Sequence, residues 1–347
     1  MSERTLQDLK QKQALPLSVK ILLTKARIRE WVNEWGEDGV YISFSGGKDS
    51  TALLHIARED YPNLKAVFVN TGLEYPEIVE FVKTFDNVDI LKPKMNFKQV
   101  IEKYGYPFIS KEVSQTVMEA KQALRNGKEC SYRMKKLNGE VTLKDGTPSR
   151  YNIPKYKFLL DAPFEVSHFC CKVMKKEPSI RYEKETGRKA ILGQTAEESQ
   201  LREQVWIKYG CNGFDMKRPK SNPLSFWKEQ DILRYLKENN IPIASVYGDI
   251  VIDYEAEEQI SGQIALSDLG LLPDTRPLKT SGLSRTGCIF CGYGCHLEKP
   301  GEGRFERLKV THPKIYDYIM RPKEQGGLNY KEIIEWINEH GDMNIRY

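Results

Sequence analysis

The sequence predicts a doubly wound α/β fold, a mostly parallel sheet with helices on both faces. Three observations carry that expectation. Short apolar runs alternate with segments of helical periodicity between Ile21 and Tyr104. The runs are rich in β-branched and aromatic residues and are too short for helices. A glycine-bearing loop, Ser45-Gly46-Gly47-Lys48-Asp49-Ser50, joins the first run to the helical segment after it. In such a fold the crevice at the carboxyl ends of the strands is the usual ligand site.

Taken in order, Ile21 to Trp35 reads as a helix. Ile21, Leu22, Ala26, Ile28, Trp31, Val32 and Trp35 form one broad apolar stripe, and Gly36 and Gly39 punctuate its end. Val40 to Phe44 reads as a short buried strand and Ser50 to Arg58 as the next helix. Lys65 to Asn70 is a second strand, Glu77 to Phe85 a helix, Val88 to Leu91 a third strand and Phe97 to Tyr104 another helix. Lys111 to Leu124 is helical. Arg125 to Tyr156 is polar, rich in Lys and Gly and without a period, so it reads as an insertion, with a hairpin as one form. Cys170 to Thr186 is helical after its first residues, Lys189 to Gly193 is a strand, and Lys228 to Asn239 is a helix with Pro242 beyond its end. Gly248 to Arg276 is acidic and turn-rich. Phe305 to Glu339 holds two helical patterns, with His312-Pro313 near the start. The expected organisation is a helical segment at 1–36, an α/β domain carrying the loop at 37–245 with the insertion near 125–156, and a cysteine-containing part at 246–347.

Composition narrows the classes of function. A chain of 347 residues is long for one domain and short for three, hence one large domain with a smaller part. A net charge of +5 is a mild pull toward anions, and a pI near 8.6 lies below the range of about 9 and above that marks nucleic-acid binders. No apolar run reaches the roughly 18 residues of a membrane span. Met1 to Pro16 lacks the apolar stretch of a secretory signal, so the cytoplasm is the expected compartment. Seven cysteines, an odd number, argue against a disulfide framework, and their clustering favours metal or redox chemistry.

A strand, then SGGKDS, then a helix is a recipe for binding phosphate. Gly46 and Gly47 let the backbone approach an anion closely. The N–H groups of Asp49, Ser50 and Thr51 are expected to open the helix toward the phosphate, with the helix dipole adding to them. Ser45 and Ser50 offer hydroxyls, Lys48 a mobile positive charge, and Asp49 either a Mg²⁺ ligand or a helix cap. GxxxxGK[ST] is absent, so γ-phosphate transfer of the P-loop kind is not indicated. The competing reading is a tight turn with a good N-cap and no ligand.

The loop resembles the PP-loop of the ATP pyrophosphatase, or adenine-nucleotide α-hydrolase, superfamily, whose members cut ATP between the α- and β-phosphates. More closely, the chain resembles the phosphoadenosine phosphosulfate (PAPS) reductase branch. SFSGGKDSTALLHIA, VFVNTGLEYPEI, CCKVMKKEP, ILGQTAEES, NPLSFWKEQDILRYL and RTGCIFC occur in that family's order, over roughly Asp38 to His296. The first and last are the most specific. The resemblance implies nucleotide contacts from Ser45, Gly46, Gly47, Lys48, Asp49 and Ser50. It also implies contacts from Asn70, Thr71, Gly72 and Glu74 near the adenosine or metal, and from Gly193, Glu197, Glu198, Ser199 and Arg202. Lys48, Asp49 and Arg202 are the candidate catalytic residues. Arg202 suits an oxyanion because guanidinium binds one bidentately, and an ordinary surface helix Arg is the alternative.

Cys170-Cys171 and Cys288-Ile289-Phe290-Cys291 form the two cysteine clusters. CxxC lets two thiolates reach one centre, whereas adjacent helical cysteines point about 100° apart and suit a larger group better than one ion. In relatives with this CC…CxxC arrangement the four cysteines hold a [4Fe-4S] cluster, which implies Cys170, Cys171, Cys288 and Cys291 as ligands. A Cys₄ zinc site, a redox CxxC and inert buried thiols remain as alternatives. Cys295 reads as a labile ligand, a sulfur carrier or a packed thiol, and Cys130 and Cys211 lack partner spacing. His168 and His296 flank the clusters, as substitute zinc ligands or as hydrogen-bond donors to them.

Two departures from the sulfonucleotide reductases matter. Their loop generally lacks the lysine kept here, and they attack sulfur with a cysteine in a tail motif, whereas no cysteine stands between His296 and Tyr347. The expected function is AMP-forming adenylation at the α-phosphate of ATP with Mg²⁺, coupled to sulfur transfer from a donor such as a cysteine desulfurase. DNA phosphorothioation and some tRNA-thiolating enzymes combine such parts. The alternatives are a PAPS or adenylyl-sulfate reductase served by a thioredoxin-like reductant, and a non-catalytic nucleotide-binding subunit. The basic residues of the insertion, Arg125 to Lys155, read as nucleic-acid contacts or as a solvated surface.

Overall fold

A computed structural model of the chain describes residues 4–128, 131–257 and 276–347. Cys130 and most of the acidic stretch before Arg276 lie outside these described residues. In chain order the structure begins with α1 (Leu6–Gln13), which sequence periodicity missed because its residues are mostly polar. A capping box between Thr5 and Asp8 starts it. Then follow α2 (Leu17–Trp35), β1 (Val40–Ser43), α3 (Lys48–Asp60), β2 (Ala66–Val69), α4 (Pro76–Lys83), β3 (Val88–Leu91), α5 (Phe97–Tyr104), β4 (Phe108–Ile109) and α6 (Lys111–Arg125). After α7 (Tyr132–Asn138) come α8 (Glu177–Thr186), β5 (Lys189–Leu192), α9 (Gln200–Tyr209), β6 (Asn212–Gly213), β7 (Lys220–Ser221) and α10 (Glu229–Glu238). The C-terminal part adds β8 (Ile250–Ile252), α11 (Tyr254–Glu257), β9 (Leu278–Thr280), β10 (Gly292–Tyr293), α12 (Arg304–Thr311), α13 (Pro313–Met320) and α14 (Tyr330–Gly341). The last region therefore holds three helices rather than two, because Pro313 and the Gly326-Gly327 pair each interrupt the pattern.

The chain forms two compact units that interleave along the sequence. The first comprises residues 1–70, 74–92 and 179–286; the second comprises 71–73, 93–178 and 287–347.

The first unit contains a six-stranded sheet in the order β3-β2-β1-β5-β7-β6, parallel except for the β6–β7 pair. This is the mostly parallel α/β architecture expected from the alternation of elements. The chain builds β2 and β3 on one side of β1 and then places β5 on its other side. β1 and β5 thus flank a topological switch point, where a crevice opens at the strand ends. The central strand is fully buried, with Val40, Tyr41 and Ile42 at most 1% exposed, which explains its unbroken apolar run. Tyr41, Val67, Tyr182 and Ala190 pack into one cluster on the sheet. On another face Trp227 donates its indole N–H to Thr24 at 2.9 Å, and the buried ammonium of Lys20 meets Asp231 at 2.6 Å. These tie α2 to the start of α10.

In the second unit β4 and β10 pair in parallel, and Tyr106, Phe108, Phe305 and Tyr330 make an aromatic core. The stretch expected as an insertion is instead part of this packing. Arg133 and Lys136 of α7 pair with Glu119 and Glu112 of α6, at 2.5 and 2.6 Å, and the Ile153 N–H bonds the Lys136 carbonyl. The hairpin expectation reduces to one bridge between Thr142 and Pro148. The segment has no sequence period because its hold on α6 comes largely from charged pairs rather than from an apolar stripe. Among the described residues no helix is long and apolar enough to cross a membrane.

Candidate functional site

The loop after β1 sits in the first unit. Gly46 takes φ +71°, and a Cβ there would come within 2.9 Å of the Ile78 and Val82 side chains of α4. Glycine is thus required both by conformation and by space. Gly47 is the N-cap of α3, so the helix starts at Lys48 rather than Ser50. This corrects the expected set of open amides. The Thr51 N–H closes the first helical turn onto the Gly47 carbonyl at 2.9 Å. The groups without an intrahelical acceptor are those of Lys48, Asp49 and Ser50.

The loop hydroxyls hold its shape. Ser50 Oγ donates to the Gly47 carbonyl at 2.9 Å and accepts the Ser45 N–H at 3.2 Å, while Ser45 and Ser50 Oγ stand 3.0 Å apart. Thr51 Oγ1 also donates to Gly47 O, at 3.0 Å. The end of β5 presses against this turn. A Cβ on Gly193 would lie 2.9 Å from the Asp49 carbonyl oxygen. Only a hydrogen there lets the two strand ends approach, which fits the placement of Gly193 with the nucleotide residues.

Charge converges on the same turn. Lys48 is 6% exposed, and its ammonium lies 2.9 Å from Glu229 Oε1 at the start of α10. Burial raises the Asp49 pKa above the ordinary carboxylate value, with Glu229 adding to the rise, while Lys48, Arg285 and Arg202 act against it. Burial likewise lowers the Arg202 pKa, with Asp49 opposing and Arg285 reinforcing the change. Arg202 is thus inside the field of the loop and not an isolated surface side chain, and it pairs with Glu198. Glu197 accepts the Glu229 N–H at 2.9 Å, and Ser199 caps α9 by accepting the Arg202 N–H. These two anchor the helix starts that carry Glu229 and Arg202.

Sequence reasoning missed Glu229, Tyr247 and Thr286, and named Arg285 only in connection with the cysteines. The Tyr247 hydroxyl lies 2.6 Å from Thr286 Oγ1, and the backbone N–H groups of Lys48 and Thr286 face it. It would stand 3.3 Å from a Cβ on Gly47, and the Lys48 ammonium is 5.6 Å above its ring. The Tyr247 oxygen therefore occupies the mouth of the phosphate-binding turn. Nothing local marks Tyr247, which lies about two hundred positions from the loop; only the NPLSFWKEQD stretch adjoining Glu229 offered a signal.

Asn70 and Glu74 belong to the first unit, and the Asn70 N–H bonds the Leu91 carbonyl at 2.9 Å. Thr71 and Gly72 belong to the second, where Thr71 Oγ1 accepts the Leu73 N–H and Gly72 takes φ +73°.

The second unit brings the two cysteine clusters together. Cys170 and Cys171 open a helical stretch that passes through a π-helical turn, Lys172–Lys176, before α8. Cys288 and Cys291 lie on one turn, with the Cys291 N–H bonded to the Cys288 carbonyl at 3.0 Å. Tyr293 ties the pairs to each other by donating its hydroxyl to the Ser167 carbonyl at 2.8 Å. Burial raises the Cys170 pKa, and Cys171, Cys288 and Cys291 raise it further, so these thiols share one electrostatic neighbourhood. Burial also raises the Cys291 thiol, against which the Tyr293 N–H, Arg304 and Lys111 work. Arg304 further donates to the Cys291 carbonyl at 2.7 Å. Four mutually coupled thiols with an amide and two cations nearby suit an anionic, thiolate-bound group. Among the described residues no three His, Cys, Asp or Glu side chains converge on the position of a single ion.

Cys295 is 3% exposed, donates its thiol to the Gly292 carbonyl at 2.8 Å, and is pushed up to about 12 by burial. Of its three readings it takes that of a packed thiol. His168 and His296 each keep a buried Nδ1 without a hydrogen-bond partner, and His296 Nε2 lies 3.4 Å from the Tyr156 hydroxyl.

Comparison with known proteins adds the following. The phosphoadenosine phosphosulfate reductase domain family matches residues 39–131 and 110–291. An uncharacterized protein of Methanocaldococcus jannaschii is 41% identical over 70 residues, which are 19% of this chain and 17% of that protein. The chain thus matches less than a fifth of the length of that relative. A crystal structure of phosphoadenylyl-sulfate (PAPS) reductase from Candida auris, in a phosphate complex, is 15% identical, covering 70% of this chain and 90% of the other with a TM-score of 0.36.

Proposed function

The chain belongs to the phosphoadenosine phosphosulfate reductase domain family, and from that premise we propose that it cleaves ATP between the α- and β-phosphates. In the proposed reaction an acceptor oxygen attacks the α-phosphorus, the bond to the bridging oxygen breaks, and pyrophosphate leaves. The acceptor loses its proton, and adenylated acceptor or, after its further reaction, AMP results. The observation that carries this reading is the intact loop with Lys48 buried at the helix start beside Arg202, Arg285 and Asp49.

Each residue has a task in that scheme. The amides of Lys48, Asp49 and Ser50 and the α3 dipole bind phosphate oxygens. Lys48 exchanges Glu229 for phosphate and offsets charge on the leaving pyrophosphate. Arg202 clamps an oxyanion while Glu198 orients it. Mg²⁺ would enter with the nucleotide, with Asp49 as its nearest carboxylate in the loop. Cys170, Cys171, Cys288 and Cys291 would hold a [4Fe-4S] cluster. Sulfurs that couple without converging suit such a core better than zinc, whose bonds of about 2.3 Å draw its ligands close together. When bound, the cluster would supply redox or sulfur-handling chemistry. A sulfur donor is the partner this scheme requires.

The test is to incubate the anaerobically purified protein with ATP, Mg²⁺, a sulfur donor and candidate acceptors, and to separate AMP from ADP. AMP with pyrophosphate supports the reading; its absence with every acceptor, or ADP as the product, overturns it. The family match also favours a second reading, a sulfonucleotide reductase. Sulfite release from PAPS or adenylyl sulfate with a thioredoxin-like reductant would establish that instead. The buried Cys295 thiol weighs against it as the nucleophile.

A further inference from the structure

The first unit carries a cavity of about 380 Å³ among α1, α2, α9 and the β6 edge of the sheet. It shares no lining residue with the phosphate loop. The volume lies in the range of small-molecule sites, roughly 300–1,000 Å³. We propose that this cavity binds a compact organic anion, a planar aromatic ring with a hydrogen-bond acceptor joined to one anionic group.

The walls supply the apolar part. Trp206 and Phe226 are each 2% exposed, and Phe214 stacks against Trp31 with ring centroids 5.0 Å apart. Trp206 also leaves a need: its indole N–H is buried without a hydrogen-bond partner. The Cys211 sulfur lies beside it, but sulfur is a weak acceptor and already receives the Ser225 hydroxyl at 3.5 Å. A buried donor without an acceptor costs about 1–3 kcal/mol, so a ligand offering a ring nitrogen or carbonyl there gains directly. Trp31 and Trp35 have the same unmet N–H but do not line the cavity.

The rim supplies the charge. Arg4, Lys12, Arg27 and Lys208 border the cavity, against Glu30 and Asp215. Arg27 is answered by Glu30 at 2.8 Å, while among the described residues Arg4, Lys12 and Lys208 make no ion pair. The Arg4 guanidinium is held over Gly210, whose missing Cβ would lie 3.0 Å from it. Cations around an opening whose floor is aromatic suit a ligand with one charged and one ring end.

Two sources share that chemistry, a nucleoside monophosphate and an aromatic carboxylate, and the experiment separates them. The full chain, ¹⁵N-labelled, is titrated with uridine monophosphate and with nicotinate, and the indole N–H peaks are followed by NMR. Trp206→Phe identifies the Trp206 peak. A saturable downfield shift of that peak with one of the two, while Trp31 and Trp35 stay in place, is the expected result, and the arm that responds names the source. Lys12→Ala with Lys208→Ala should weaken that binding by about tenfold without changing the fold, since both lysines project from the surface. A Trp206 peak that is static at millimolar ligand overturns the proposal. So does an equal shift with inorganic phosphate or pyridine alone, or binding indifferent to the two lysine changes.

Discussion

The ammonium of Lys48 lies 2.9 Å from the carboxylate of Glu229, joining the start of α3 to the start of α10. Lys48 is buried at this contact while Glu229 is 41% exposed, so the carboxylate can yield to a phosphate at little cost. Glutamate here holds the lysine in place yet repels the ligand that the lysine serves. Lys48→Met should reduce AMP formation by about 10²-fold or more, since it removes a preorganised charge at the reacting phosphate. Glu229→Gln should split the kinetic constants. Nucleotide binds more tightly, while kcat falls by about tenfold, or 1.4 kcal/mol, as the lysine loses its position. Equal falls in kcat and kcat/KM would instead mean that Glu229 acts only in the transition state.

Tyr247 makes a different prediction, because its hydroxyl stands at the mouth of the turn beside Thr286 Oγ1. Tyr247→Phe should lower the stability of the nucleotide-free protein by about 1 kcal/mol, the net worth of a hydrogen bond. It should also enlarge the rise in Tm that ATP produces, because the amides lose a competitor. Thermal melts with and without ATP measure both. A smaller ATP-induced rise in the variant would show that the phenol binds the nucleotide rather than standing in for it.

Gly193 permits the close approach of β5 to α3. Gly193→Ala places a methyl group 2.9 Å from the Asp49 carbonyl, and backbone on both sides leaves it little room to move. A loss of about 1–3 kcal/mol is expected, with weakened nucleotide binding, as for other overpacked sites. Denaturant melts that match the unchanged protein would dismiss this packing role.

Asp49 carries a pH signature. Its pKa is raised first by burial, so the folded state binds its proton more strongly than the unfolded state does. As pH rises from the ordinary carboxylate range through the raised value, ionising Asp49 costs stability, and that cost is complete at neutral pH. Asp49→Asn should therefore raise Tm at neutral pH while abolishing turnover, and the gain should shrink as pH falls toward the ordinary carboxylate range. A gain that grows on acidification would contradict this sign.

The cysteines separate by role. In anaerobically purified protein, Cys170→Ser and Cys291→Ser should each remove bound metal and visible absorbance, whereas Cys295→Ala and Cys211→Ala should retain both. Metal analysis then decides iron against zinc. Loss of the chromophore in Cys295→Ala with the fold intact would move that thiol into the ligand set.

Much of the first unit can be read directly from short stretches of chain. The runs Val40–Phe44, Lys65–Asn70 and Lys189–Gly193 mark β1, β2 and β5 because buried parallel strands are apolar along their whole length. SGGKDS marks the phosphate turn because its backbone demands glycine and its chemistry demands Lys and hydroxyls close together in the chain. The cysteine clusters announce themselves by composition alone. Other features depend on which distant elements become neighbours. Glu229 meeting Lys48, the Tyr247 hydroxyl reaching the turn, and Gly193 touching Asp49 join residues more than 140 positions apart. The docking of α7 on α6 through Arg133 and Lys136 leaves no periodic trace, since ion pairs need no apolar stripe. Local pattern thus determines where the backbone can bind an anion, while tertiary packing alone decides which side chains stand around it.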